Sequence, residues 1–212
     1  MYELYRNYII SSGGTGQVSE LFKQAGMDER PTADYIWAIL VKLGLDPTSE
    51  HFADTPARVT KMLQSFCQFS EAGLAEVLKA GFSETKDNIL VVQSRIPFVG
   101  LCAHHLLPFI GRATIGYLPR KRVVGLSKLT RLVYAAGRVQ PSTQEHITNL
   151  IADTLADTLE PIGVGVITTA THGCMGARGV NAPDTVTQVN ALRGQMLLNP
   201  QARLEFMEAA RG

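Results

Sequence analysis

The sequence predicts an α+β domain in which an antiparallel sheet is covered on one face by two helices. Three observations carry this. Alternation of apolar and polar residues marks strands, and apolar residues at helical spacing mark helices. The order of these signals is helices, then strand–strand–helix–helix–strand–strand, then a helix, which differs from the alternating order of a parallel sheet. With 212 residues, 45% hydrophobic and 18% charged, the chain is long enough for one well-buried core and too apolar for overall disorder.

Residues 1–30 are predicted to form an N-terminal extension, a candidate for partial disorder or an oligomer arm, because Ser11-Ser12-Gly13-Gly14-Thr15-Gly16 is linker-like. Residues 31–212 form the domain: a helical lead-in over 31–80, a core over 85–200 and a C-terminal helix over 199–212. Pro31-Thr32 opens a helix to about Leu43, with Thr32 as N-cap and Gly44 as stop. Thr55-Pro56 reads as an N-cap with proline in the first turn. Val59, Met62, Leu63, Phe66 and Cys67 then recur on one helical face, so Cys67 is expected in the core. Asn88–Phe98 and Ile110–Leu118 read as a strand pair, and Pro119-Arg120-Lys121-Arg122 as a solvated charged turn.

Ser127 is placed to cap the next helix, in which Leu129, Leu132, Val133 and Ala136 share a face and Lys128 and Arg131 share another. Ser142-Thr143-Gln144-Glu145 opens a helix that buries Ile147, Leu150, Ile151 and Leu155 and stops at Pro161. Gly163–Ala170 and Thr185–Leu192 are strands, and Asn199-Pro200 starts the last helix.

The formal net charge of +1 gives no general attraction to nucleic acid or an anionic membrane, and neither is expected as a partner. No apolar run approaches the ~20 residues of a membrane span. Met1 to Asn7 lacks the basic start and apolar run of a signal peptide, so a cytoplasmic location is expected. Three widely spaced cysteines do not make a disulfide framework.

Chemistry concentrates in Gly100-Leu101-Cys102-Ala103-His104-His105-Leu106-Leu107-Pro108-Phe109. Cys102 and His105 form a C-x-x-H pair that can close on one zinc ion from a tight turn, with His104 lodged inside it. Thr171-His172-Gly173-Cys174 supplies a further thiol and imidazole, followed by Arg178-Gly179. Cys, His and Cys from two segments would leave a coordination position for water, as in catalytic zinc. From these residues alone a structural zinc with His104 or His172 as fourth ligand stays equally open. His51 and His146 have no such context and read as surface histidines.

Cys102-Ala103-His104-His105-Leu106-Leu107-Pro108-Phe109, Gly125-Leu126-Ser127-Lys128-Leu129 and Thr171-His172-Gly173-Cys174-Met175 with Arg178-Gly179 together resemble GTP cyclohydrolase I. Thr55-Pro56-Ala57-Arg58-Val59 with Lys61, and Gln144-Glu145, extend the resemblance over about residues 35–211. It implies the tunnelling fold, with protomer sheets joined into a barrel and two rings stacked as a toroidal homodecamer. It implies hydrolysis of GTP at guanine C8, release of formate and formation of 7,8-dihydroneopterin triphosphate, the first step of pterin and folate-type biosynthesis. The zinc ligands would be Cys102, His105 and Cys174, and the catalytic histidines His104 and His172. Ser127, Lys128, Arg131 and Arg178 would contact the triphosphate, joined by Arg58 and Lys61 from a neighbouring subunit. Gln144 and Glu145 would recognise guanine. Two other readings accompany this one: a relative acting on a modified purine nucleotide or stopping at the ring-opened formamide, and a non-catalytic zinc-stabilised ring that binds pterins.

The chain also departs from the family pattern. Ala103 stands where a glutamate is usual, Gly100 where a serine is usual, and Glu50-His51-Phe52 where the family has E-G-L. The segment between Arg131 and Gln144 is one residue longer than usual and that after Thr187 about two longer. Ser142-Thr143-Gln144-Glu145 is also a capping-box spelling, in which Glu145 would fold back on the Ser142 N–H.

Overall fold

In a computed structural model, residues 23–24, 30–83 and 89–211 are described; most of the predicted extension over residues 1–30 lies outside them. The chain divides into two compact units, one ending at Leu63 and one starting at Gln64. The first carries α1 (Thr32–Lys42) and most of α2 (Thr55–Ser65). Thr32 is not a cap: Pro31 holds that position with extended backbone, no side chain caps the helix, and the Pro31 carbonyl accepts from Asp34 N–H. Thr55 is likewise the first helical residue and not its cap.

The second unit begins with a turn. Cys67 is exposed, contrary to expectation, because α2 ends at Ser65 and the Cys67 N–H closes a turn onto the Gln64 carbonyl. The apolar period runs past the helix that it marks. A 3-10 turn (Glu71–Gly73) leads into the single turn α3 (Leu74–Val77). Strand β1 (Gly81–Ser83) pairs antiparallel with β4 (Arg122–Val124). Arg122 therefore leaves the predicted charged turn to begin a strand, and its guanidinium donates to the Lys79 carbonyl at 3.0 Å.

The main sheet is β2 (Val91–Leu101), β3 (Pro108–Leu118), β5 (Gly163–His172) and β6 (Val186–Gly194), in the order β2-β3-β5-β6 and antiparallel throughout. A bulge between Gln93 and Ile96, with Arg95 in the left-handed region, sets Ile96 and Phe98 on the buried face. Between β4 and β5 run α4 (Leu126–Ala136) and α5 (Gln144–Leu159). Of their predicted apolar faces, Leu129, Leu132, Val133 and Ala136 on one and Ile147, Ile151 and Leu155 on the other are buried, whereas Leu150 is only partly buried at the edge of the core. With Phe98, Phe109, Ile115, Tyr117, Val164 and Val166 of the sheet they make one continuous core. Gly125, not Ser127, is the N-cap of α4; Ser127 and Lys128 lie in its first turn.

A single turn, α6 (Gly173–Gly176), lies between β5 and β6, and beyond β6 come α7 (Gln195–Leu198) and α8 (Pro200–Ala209). Asn199 caps α8 by accepting from the N–H groups of Gln201 and Ala202. The sheet is not covered on one face alone. Gly116 and Gly165, paired across β3 and β5, would each direct a Cβ away from the main core, to within 2.5 and 2.4 Å of the Phe206 ring. Only glycine leaves room for that ring, and Phe206 is fully buried there. Among the described residues no helix is long and apolar enough to cross a membrane.

The Phe206 seat yields the first expectation. Phe206→Ala leaves a ring-sized void over two residues that have no side chain to fill it. It should cost about 3–5 kcal/mol of stability, read from the urea unfolding midpoint; an unchanged midpoint would mean that α8 contributes nothing to the domain.

Candidate metal centre and active-site cleft

The site is assembled at one end of the sheet by backbone pairing. The β2–β3 hairpin closes over Cys102–Leu107: Cys102 N–H donates to the Leu107 carbonyl, and Leu106 N–H to the Cys102 carbonyl. Leu106 takes the left-handed conformation that this tight turn needs. Antiparallel register sets Gly100 opposite Phe109 and Phe109 opposite His172, so the end of β5 arrives beside the hairpin. The lead-in to α5 is stitched to the same turn, with Ser142 N–H donating to Leu101 and Ala103 N–H donating to Ser142.

This brings the side chains of Cys102, His105 and Cys174 together, with one potential ligand atom from each and all within 4.8 Å of one another. Two donors about 2.3 Å from a tetrahedral ion are about 3.8 Å apart, so the three fit zinc in spacing and in chemistry. Among the described residues no fourth Cys, His, Asp or Glu joins the group. His104 stays beside it, its Nδ1 3.9 Å from the Cys102 sulfur. Burial, followed by the adjacent Cys102 thiol, pushes the Cys174 thiol pKa up, with Arg178 opposing. A bound cation inverts that balance by holding both sulfurs as thiolates. Arg178 Nη1 lies against His105 Nε2.

A cleft of about 240 Å³ opens next to the cluster, lined by Cys102, His104, Gln144, Glu145, His172 and Cys174 among others. His172 is stacked on Phe109, ring centroids 4.8 Å apart and 16° from parallel. Burial lowers its imidazole pKa, opposed by the Glu145 carboxylate. The capping box does not form. Thr143 is the N-cap of α5, accepting from His146 N–H, and the Ser142 N–H is already committed to Leu101. Glu145 is left exposed at the mouth of the cleft.

Gln144, expected at the same recognition surface, is instead 1% exposed. Its amide is engaged by Thr168, Thr187 and His172. Thr168 and Thr148, which sequence reasoning missed, are fully buried partners of that network. Ser127, Lys128 and Arg131 lie on α4 and do not line the cleft. Arg58 and Lys61 are exposed on α2, Arg58 paired with Asp54 at 2.8 Å. His146 is a surface residue, as read from the sequence, 3.4 Å from Glu71.

The family model for GTP cyclohydrolase I matches residues 32–211. The chain is 39% identical to GTP cyclohydrolase 1 of Halalkalibacterium halodurans over 187 residues, covering 88% of this chain and 98% of that protein. It is 38% identical to the protein of the same name from Caldanaerobacter subterraneus subsp. tengcongensis, over 85% of this chain and 96% of that one. Identity to GTP cyclohydrolase 1 of a Hydrogenobaculum strain is 40%, over 87% and 99% of the two chains.

The glycine at position 100 is tied to this geometry. A Cβ there would lie 2.3 Å from the Phe109 ring and 3.0 Å from Ile147. Gly100→Ser should cost about 1–3 kcal/mol through overpacking. It should also lower turnover, because the displaced ring is the one stacked on His172. Urea unfolding and steady-state kinetics check the two parts.

Proposed function

The chain belongs to the GTP cyclohydrolase I family, and on that premise we propose that it hydrolyses GTP at guanine C8, releases formate and yields 7,8-dihydroneopterin triphosphate at a zinc centre. Its activity is that of a GTP cyclohydrolase I. One observation supports the metal-dependent reading above the others: Cys102, His105 and Cys174 form a three-donor group, while His104 and His172 stand beside it without joining. Three protein donors suit catalytic zinc, and four suit structural zinc. A zinc ion held there supplies a water activated at neutral pH, its pKa lowered to about 7.

The remaining roles fall to the chain's own groups. C8 of guanine is a weak electrophile until N7 is protonated, so an imidazole beside the ligands must move a proton to and from the ring. His104 and His172 are the two non-ligand imidazoles that line the cleft. Glu145 accepts hydrogen bonds from the guanine amino group and ring N–H, a donor pair that adenine does not present. Ser127 and Lys128 offer the triphosphate the first turn of α4, the positive end of the helix dipole, which favours an anion. Arg131 and Arg178 add charge.

Two features favour a site shared between subunits of a ring. The cleft of one chain, about 240 Å³, is smaller than the ~300–1,000 Å³ of typical ligand pockets. The sheet also ends in two long edge strands, β2 and β6, which such rings pair between neighbours. In the proposed toroidal decamer, Arg58 and Lys61 complete the triphosphate site of the adjacent subunit.

Two outcomes test this function. Elemental analysis should find about one zinc per chain. Cys174→Ala should lose both metal and formate release from GTP, whereas His172→Ala should keep the metal and lose turnover by about 10²–10⁴. Full metal content and activity in the Cys174 variant would remove the centre.

The second outcome concerns Glu145. Because its carboxylate caps nothing, Glu145→Gln should leave the melting temperature unchanged and lower kcat/KM for GTP about 30-fold, the equivalent of about 2 kcal/mol for a hydrogen bond to a charged group. Near-normal kinetics would exclude guanine recognition by this residue.

A further inference from the structure

The first residue of α5 stands in the wall of the cleft, its side chain almost wholly buried in a polar network. Gln144 Nε2 is 3.1 Å from the Thr168 carbonyl, 3.2 Å from the Thr187 carbonyl and 3.0 Å from Thr168 Oγ1. Gln144 Oε1 is 2.7 Å from His172 Nε2. Which end of an amide is nitrogen is a matter of its partners. Here two backbone carbonyls decide it, since they can only accept. The reversed amide would set oxygen against oxygen at both, in a site where Gln144 is 1% and Thr168 0% exposed.

The hydroxyls run in one direction for the same reason. Thr148 Oγ1 is 2.6 Å from the Gln144 backbone carbonyl, so its single proton is spent there. Thr168 Oγ1, 2.7 Å from Thr148 Oγ1, must then donate to it, and receives in turn from Gln144 Nε2. Gln144 Nε2 has two protons for three acceptors, so one of them is shared between the carbonyl and Oγ1 of Thr168. With its nitrogen committed, the amide can face His172 only with its oxygen, and an oxygen facing an imidazole requires N–H.

We infer that Gln144, held by Thr168 and Thr148, is a positioning residue that fixes His172 as the tautomer protonated on Nε2, leaving Nδ1 as the nitrogen able to accept a proton. Phe109, stacked on the ring at 4.8 Å, fixes its plane while the amide fixes its rotation. An amide engaged at both ends is poorly placed to read a purine, and Glu145 carries that task alone. The consequence for turnover rests on the role proposed above for His172; the tautomer itself does not.

The two levels are tested separately. In magic-angle-spinning spectra of the zinc-loaded full-length protein with 13C,15N-labelled histidine at pH about 8, where an imidazole of ordinary or lowered pKa is neutral, the His172 signals should be those of the Nε2–H form. They are assigned by their loss in His172→Asn. Signals of the Nδ1–H form, or of both forms together, would overturn the inference whatever the activity. Gln144→Met keeps the length of the side chain and removes the acceptor. It should mix the two tautomers and lower kcat about 10–100-fold, the range for partners that orient a reacting group, with KM for GTP changed less than about threefold. A raised KM with kcat and spectrum unchanged would make Gln144 a substrate contact and overturn its positioning role. If the variant fails to fold, the spectrum of the unmodified protein still decides.

Discussion

The site depends on a short piece of backbone pairing between two segments distant in the chain. Leu101 and Ala103 exchange hydrogen bonds with Ser142, one in each direction, across a parallel bridge of Cys102 with Ser142. That contact fixes where α5 begins relative to the hairpin, and with it the positions of Gln144 and Glu145 beside Cys102. The remaining segment, His172 to Cys174, is brought in by the β3–β5 register. Three segments converge because main-chain groups near a buried hairpin end must be paired, and each such bond is worth more made than left open. The side chains that do chemistry are passengers on that constraint.

Beside the cleft the protein accepts a cost that an apolar core would avoid. Gln144, Thr148 and Thr168 are buried, where each unsatisfied polar group would cost about 1–3 kcal/mol. Every one of their protons has a partner, so the network is close to neutral in stability and returns specificity in its place. Volume-matched apolar residues at these positions would pack, but they would leave the His172 ring without a fixed hydrogen-bonding partner. The network is selective in a second way: its direction is set by backbone carbonyls, which do not titrate or flip.

Much of the fold was legible from periodicity. The faces of α4 and α5 and the four strands of the main sheet follow from it, because long segments packed on one side must repeat their apolar residues. What escaped lacks that repeat. Strands of three residues, β1 and β4, have no period to read, and Arg122 looked like one more solvated charge. Ser, Thr and Pro at helix starts suggested caps at Thr32, Thr55, Ser127 and Ser142. Backbone geometry and competing main-chain bonds gave those positions to other residues. Within the site, Cys102, His105 and Cys174 were readable because few residue types bind a transition metal. The role of Gln144 was not, because its partners on β5 and β6 lie 24 and 43 positions away, and nothing local announces them.

The positions at which the sequence reads as departing from the pattern it resembles sit where the site uses main chain. Ala103 contributes its N–H to Ser142 and exposes its methyl group, so loss of a glutamate there leaves the hairpin stitch intact. Gly100 pairs with Phe109 through backbone, and the room left by its missing side chain is taken by the Phe109 ring. The connection before Gln144 is anchored at both ends. Arg138 accepts from Gln68 and Phe69 through its carbonyl and lies over Tyr134, while Ser142 is held by the hairpin. Substitutions tolerated at these positions therefore say little about the chemistry. Substitutions at Phe109, Gln144 or Thr168, which touch His172 or the group that orients it, would say more.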